Sequence, residues 1–188
     1  MRVVGGKLRG RRIKPPANLK ARPTTDMAKE ALFNVLANLK DINGAAVLDL
    51  FFGSGGISLE FHSRGAAEVI SVDVDPVSKK FLDETLKQWK LKGIRVVQAD
   101  VFKMLKNPRK QFDLIFADPP YADPRFPEMP DLILLGGWMR PEGILIIEHG
   151  EENDFSAHPQ RFLHKKYGSV NFSFFRTASA KSGFGDKV

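Results

Sequence analysis

Apolar positions along this chain recur at two spacings, and the alternation between them predicts the architecture. From 26 to 40, Met27, Ala28, Ala31, Leu32, Val35, Leu36 and Leu39 fall at steps of one, three and four, which sets them on one face of a helix. Arg22-Pro23-Thr24-Thr25-Asp26 opens that helix, with Thr or Asp placed to cap its first free N–H groups. After the turn Asn43-Gly44 the pattern becomes a continuous apolar run, Ala45 to Leu50, as expected of a buried strand. Further strands are predicted at Glu68 to Asp75, Arg95 to Asp100, Phe112 to Ala117 and Gly143 to Glu148. Helices fall between them: a short one over 57 to 64, and one behind Asp75-Pro76 that places Val77, Phe81, Leu82, Leu86 and Trp89 on one face as core packing. At the carboxyl end, Arg161–Tyr167 and Val170–Arg176 are joined only by Gly168-Ser169, a link that forces an antiparallel hairpin. The expected fold is α/β: a mainly parallel sheet with helices on both faces and a reversed C-terminal edge strand.

Charge changes this picture at the amino end. Residues 1 to 14 carry Arg2, Lys7, Arg9, Arg11, Arg12 and Lys14 and no acid, and the whole chain has a net charge of +7. Clustered Lys and Arg reward phosphate contact, so a nucleic acid is the expected partner, held on a basic segment that turns at Gly5-Gly6 or Gly10. The expected division is a basic extension with its helix over 1–43 and a core over 44–188. No apolar run approaches the roughly 18 residues of a membrane span, and the amino terminus lacks a signal-peptide apolar region. The absence of cysteine excludes disulfides, thiolate zinc sites and Cys nucleophiles, and makes the cytoplasm the default address. His62, His149, His158 and His164 show no metal-ligand spacing, so no metal site is expected.

The candidate chemistry sits where strands end. The strand Phe112–Ala117 runs into Asp118-Pro119-Pro120-Tyr121, which places a carboxylate, a rigid turn and an aromatic ring at a carboxyl end, where open α/β sheets bind ligands. The strand ending near Asp49 and Leu50 delivers Phe51, Phe52, Gly53, Ser54, Gly55 and Gly56, a loop that lets backbone approach a ligand ahead of a helix amino terminus. Its third dinucleotide position holds Ser58 rather than Gly or Ala, and Asp49 would repel a pyrophosphate. An amino-acid-bearing nucleoside suits both ends of such a site. Asp73 lies where such folds place a ribose-binding acid, and Asp100 ends the third strand as either a helix cap or a ligand group.

Taken in order, the Asp49–Gly56 loop, Asp73, Asp100 and Asp118-Pro119-Pro120-Tyr121 resemble the motifs of class I S-adenosylmethionine-dependent methyltransferases, with their Rossmann-like sheet. Over nearly its whole length the chain resembles the RsmD family of bacterial 16S ribosomal RNA guanine-N2 methyltransferases. That narrower match is carried by Gly5-Gly6-Lys7-Leu8-Arg9-Gly10-Arg11, Arg22-Pro23-Thr24-Thr25-Asp26, Leu48-Asp49-Leu50-Phe51 with Gly53-Ser54-Gly55, and Ser63-Arg64-Gly65-Ala66. The chain departs from the family at Phe52, where alanine is common, and at Gly55-Gly56-Ile57-Ser58, a variable region. The resemblance implies S-adenosylmethionine as cofactor. It assigns the loop with Asp49, Phe51, Gly53, Ser54 and Gly55 to the methionine portion, Asp73 to the ribose, and Asp100 with Val101 to the adenine. It further implies Asp118, Pro119, Pro120 and Tyr121 as catalytic residues, and Lys7, Arg9, Arg11, Arg12, Arg22 and Thr24 as nucleic-acid contacts. The expected substrate is 16S rRNA within a 30S subunit or assembly intermediate, acted on by a monomer. Competing readings are the same chemistry on adenine N6 in DNA or on a glutamine side chain, a nicotinamide-dependent oxidoreductase, and a noncatalytic RNA-binding protein.

Overall fold

The computed structural model describes residues 1–19 and 24–177. Seven strands form one sheet: β1 (Ala46–Leu50), β2 (Glu68–Asp73), β3 (Ile94–Gln98), β4 (Phe112–Ala117), β5 (Met139–His149), β6 (Arg161–Tyr167) and β7 (Val170–Arg176). Their order is β3-β2-β1-β4-β5-β7-β6. The first five are mutually parallel, and β7 is antiparallel to both its neighbours. The two-residue link at Gly168-Ser169 produces the expected hairpin, and its second strand, β7, is the one that inserts beside β5. The burial pattern explains that choice: β7 is almost wholly buried, whereas β6 carries Lys165 and Lys166 and tolerates the open edge. Helices α1 (Asp26–Leu39), α2 (Gly56–Ser63), α3 (Pro76–Trp89), α4 (Val101–Leu105) and α5 (Met129–Leu134) connect and cover the strands. Among the described residues no helix is long and apolar enough to cross a membrane.

Period-two alternation sorts the strand residues onto two cores. Leu48, Leu50, Ile115, Ala117, Leu145, Ile147 and Phe175 pack with α4 and α5, while Val47, Leu114, Phe116, Ile146, Phe172 and Phe174 pack with α1 and α2. Both helix starts singled out by sequence are capped: Thr25 accepts from the Ala28 N–H, and Asp75 accepts from Val77 and Ser78 ahead of Pro76. The fifth strand begins four residues earlier than expected, at Met139. A register shift between Phe112 and Leu114 and a positive φ of 57° at Glu142 carry the chain through Pro141 without leaving the sheet.

The basic amino end is docked rather than free. Val3, Leu8 and Ile13 are buried in a third cluster with Phe52, Leu59, Leu82 and Leu86. A bridge between Arg2 and Arg12 and the Val3–Arg11 backbone bond close a hairpin-like loop containing a short 3-10 turn, Gly6–Leu8. Glu60 accepts the Val4 N–H at 2.8 Å, and the Ser63 hydroxyl accepts from Leu8 while donating to the Gly5 carbonyl. Phe52, the family departure, thus serves as part of the surface on which this segment rests.

Candidate active site

The carboxyl ends of β1, β2, β4 and β5 open into one cleft of about 770 Å³. Asp49, Phe51, Gly53, Ser54, Asp73, Asp100, Val101, Asp118, Pro119, Pro120, Tyr121 and Thr24 all line it, so the sequence candidates for cofactor and chemistry converge on one space. Gly55, in the same loop, does not itself line the cleft; its φ of 77° and a Leu82 methyl 2.6 Å from any added Cβ favour glycine there. Phe51 also has a positive φ, 60°, a strained conformation held by its N–H bond to the Val72 carbonyl at 2.8 Å. A second hollow of about 470 Å³ between α4 and α5 contains none of the strand-end acids.

Electrostatically the cleft is unusual. Asp49 is 0% exposed; the Ser58 hydroxyl donates to its Oδ2, and its Oδ1 has no partner. Burial foremost, with a contribution from nearby Asp73, pushes its carboxyl up to about 7. Asp73 is bonded instead: Oδ2 accepts the Gly53 N–H at 2.9 Å and Oδ1 accepts that of Asp75 at 2.9 Å, which fixes the glycine loop to the end of β2. Asp100 caps α4 through Oδ1 and faces Arg125 with Oδ2 at 3.6 Å. The Lys103 N–H is the main reason its carboxyl is held below the usual range. The cap reading of Asp100 is met by the structure through Oδ1, while Oδ2 is paired with Arg125 and the residue also lines the cleft.

Asp118 follows β4 and its carboxyl is pushed well above the ordinary range, first by burial and then by the charges of Glu148 and Asp49. Tyr121 stacks on Phe126 with ring centroids 6.3 Å apart and an interplanar angle of 20°. Burial and the surrounding acids keep its hydroxyl protonated.

Several cleft residues escaped the sequence reading. Glu148, on β5, is 4% exposed; burial pushes it up to about 7, and the Thr24 hydroxyl donates to it at 3.3 Å. Lys29, 1% exposed on α1, donates to the Arg2 carbonyl and ties the amino-terminal segment to the cleft wall. Arg125 lies 4.2 Å from the Phe102 ring centroid beside Asp100. Glu148 carried the same signal as the others, an acid ending an apolar strand. Lys29 and Arg125 carried none, since one is a lysine on a helix and the other a loop arginine.

Of the proposed nucleic-acid contacts, Lys7, Arg9, Arg11 and Arg12 are exposed, with Arg11 over the Trp89 ring at 5.1 Å, and Thr24 is on the cleft wall. Arg22 lies outside the described residues.

The chain can be placed by comparison. A family model described as Conserved hypothetical protein 95 matches residues 1–176. Ribosomal RNA small subunit methyltransferase D of Escherichia coli K12 is 33% identical over 167 residues, spanning 88% of this chain and 83% of the relative. Its namesake from Buchnera aphidicola subsp. Baizongia pistaciae is 30% identical over 168 residues, 88% and 85% of the two chains. A solved structure from Escherichia coli superposes with a TM-score of 0.83 at 30% identity, covering 95% of this chain and 98% of that one. With a family match over 176 residues and relatives of this identity along most of their length, the chain belongs to the RsmD family of small-subunit ribosomal RNA methyltransferases.

Proposed function

We propose that this protein transfers the methyl group of S-adenosylmethionine to the exocyclic N2 amine of a guanine in 16S ribosomal RNA. The observation that carries this reading is the convergence of the Asp49 glycine loop and Asp118-Pro119-Pro120-Tyr121 in one cleft, on adjacent strands of an RsmD-family chain.

The residues present fit the cofactor. The unpartnered Asp49 Oδ1 suits the ammonium of a methionine moiety, and because the loop's Gly53 and Gly55 N–H groups are bonded to Asp73 and the Phe52 carbonyl, the carboxylate of that moiety falls to the amino terminus of α2 that follows. Asp73 retains lone pairs for ribose hydroxyls, and Asp100, whose Oδ2 is shared with Arg125, lines the cleft where an adenine amine would be accepted. When bound, the cofactor supplies an electrophilic sulfonium methyl. The protein's task is then to prepare a weak nucleophile, because the guanine N2 lone pair is delocalised into the ring. Asp118 and the Pro119 carbonyl accept its two hydrogens and favour a pyramidal nitrogen whose lone pair is free to attack. Tyr121, backed by Phe126, stacks on the extruded base, a contact worth roughly 1–3 kcal/mol. Positioning and electrostatics supply most of the acceleration, since the nitrogen becomes acidic only once methylated.

The extension over 1–43 contributes the RNA-binding surface: Lys7, Arg9 and Arg12 project from a segment whose apolar side is fixed to the core, and Thr24 reaches the cleft itself. The substrate is the rRNA of a 30S subunit or its assembly intermediate, met by a monomer in the cytoplasm.

The test is transfer of labelled methyl from S-adenosylmethionine to 30S subunits, naked 16S RNA and duplex DNA. Label in ribosomal RNA at guanine N2 is expected; label confined to DNA would overturn the RNA reading. Asp118→Ala is expected to abolish transfer while cofactor binding persists, and loss of binding would displace Asp118 from the role given it.

A further inference from the structure

Three acids stand in a row across the centre of the sheet. The parallel registers Leu50↔Ala117 and Ala117↔Ile147 set Asp118 beside Glu148, one residue beyond the last paired positions, with Asp49 on the opposite side of β4. Because the glycine loop leaves β1, Glu148 lies on the far side of Asp118 from the cofactor loop. It lines the same cleft, at 4% exposure.

Among the described residues no Lys or Arg forms an ion pair with Glu148, Asp118 or Asp49. The Thr24 hydroxyl reaches one oxygen of Glu148, and the Tyr121 hydroxyl lies beside it. Two buried carboxylates side by side, without a cation, are unfavourable in the free protein. A ligand that brings several N–H donors to this end of the cleft offsets that cost, and donor pattern separates the candidate bases. Guanine presents its ring N1–H directly beside its N2 amine, so the N1–N2 part of its edge offers donors only, with the O6 acceptor beyond it. Adenine and cytosine place a bare ring nitrogen, an acceptor, beside their exocyclic amines, and an ionised carboxylate there would repel it.

We propose that Glu148 determines base specificity: its carboxylate accepts the ring N1–H of the target guanine while Asp118 accepts from the N2 amine. The inference rests on the methyl-transfer reading of the cleft. Neighbouring parallel strands, about 4.8 Å apart, present the two carboxylates side by side to adjacent donors. Thr24 holds Glu148 from the wall, which gives this residue of the amino-terminal extension a part in base selection.

The test uses 2,6-diaminopurine, which keeps the reacting N2 amine but presents N1 as an acceptor. The full-length protein is assayed on 30S subunits reconstituted with 16S RNA that carries guanosine or 2,6-diaminopurine at the nucleotide the wild type labels. Wild type is expected to prefer guanosine by roughly tenfold to hundredfold in kcat/KM, the range of one well-formed base contact. In Glu148→Gln, whose amide can donate as well as accept, that preference is expected to fall about tenfold or more. S-adenosylhomocysteine binding by the variant checks that it is folded. Equal losses on both substrates would assign Glu148 a merely structural role and overturn the proposal, as would a wild type that does not discriminate. Absence of transfer to guanosine by the wild type would instead overturn the methyl-transfer reading itself.

Discussion

Lowering the pH from 8 to 5 is expected to weaken cofactor binding through Asp49. This carboxyl has no exposure, one hydroxyl donor and no cation, and it titrates at about 7 instead of its ordinary 3.8. That displacement corresponds to at most about 4 kcal/mol. The folded value lies above the unfolded one, so the group's contribution to stability is present in full below about 4. It is lost as pH rises through 7. The unliganded protein therefore carries a strained charge at pH 8, and a ligand ammonium relieves it. Below 7 the site is protonated and must release a proton before it can accept that ammonium, which stays charged up to about 7.7. Affinity is then expected to fall by up to tenfold per pH unit, or roughly a hundredfold between pH 7 and pH 5.

Isothermal titration with S-adenosylhomocysteine, in two buffers of different ionisation enthalpy, measures both quantities. About one proton should leave per ligand bound near pH 6, and at pH 8, where most of the free amine has lost its own proton, the sign should reverse to net uptake. Glu148 titrates at about 7 in the same cleft and Asp118 is also raised, so the pH series is repeated with Asp49→Asn, which should bind more weakly at pH 8 and lose most of the slope. A wild-type affinity flat between pH 5 and 7, or an unchanged slope in Asp49→Asn, would refute the reasoning.

Two further outcomes concern the amino-terminal segment. Gly6→Ala places a Cβ 2.0 Å from the Ser63 carbonyl oxygen at a φ of 68°, so the segment is expected to undock, with a loss of about 1–3 kcal/mol in urea denaturation and new protease cleavage before residue 14; a variant as stable and resistant as wild type would count against the docked arrangement. Replacing Arg9, Arg11 and Arg12 together by Gln is expected to weaken RNA binding and to reduce the log–log salt slope by up to about 0.7–0.9 per lost phosphate contact, measured by filter binding from 50 to 200 mM salt; an unchanged slope would remove these residues from the interface.

What could be read in the sequence was what local chemistry decides. Thr25 and Asp75 cap their helices because a short polar side chain ahead of an apolar face leaves little alternative, and Gly168-Ser169 is too short for anything but a hairpin. Docking of the amino end was not legible. Val3, Leu8 and Ile13 are five residues apart, which matches neither a helix nor a strand, and they meet on one side only because a 3-10 turn and three backbone bonds across the loop fold it. The extent of β5 was hidden for a related reason: Pro141 reads as an interruption until a bulge opposite and a left-handed Glu142 accommodate it. The fifth acid, Glu148, was visible as a residue but not as a neighbour of Asp118, since β4 and β5 are separated in sequence by α5.

Strand order turns these acids into an argument about direction. In sequence they run Asp49, Asp73, Asp100, Asp118, Glu148; across the sheet β3-β2-β1-β4-β5 they run Asp100, Asp73, Asp49, Asp118, Glu148. The chain order reverses between β1 and β4, the kind of position at which open α/β sheets bind ligands. The proposed roles fall along the sheet order without a crossing, from adenine through ribose and methionine to the reacting amine and then the base edge. A cofactor lying along the first three acids must bring its sulfonium end toward Asp118, and a base approaching from the other side meets Glu148 first. On the proposed roles the row divides the expected consequences of substitution by position: changes at Asp100, Asp73 or Asp49 are expected to act on cofactor affinity, a change at Glu148 on which base is accepted, and a change at Asp118, standing between them, on transfer alone.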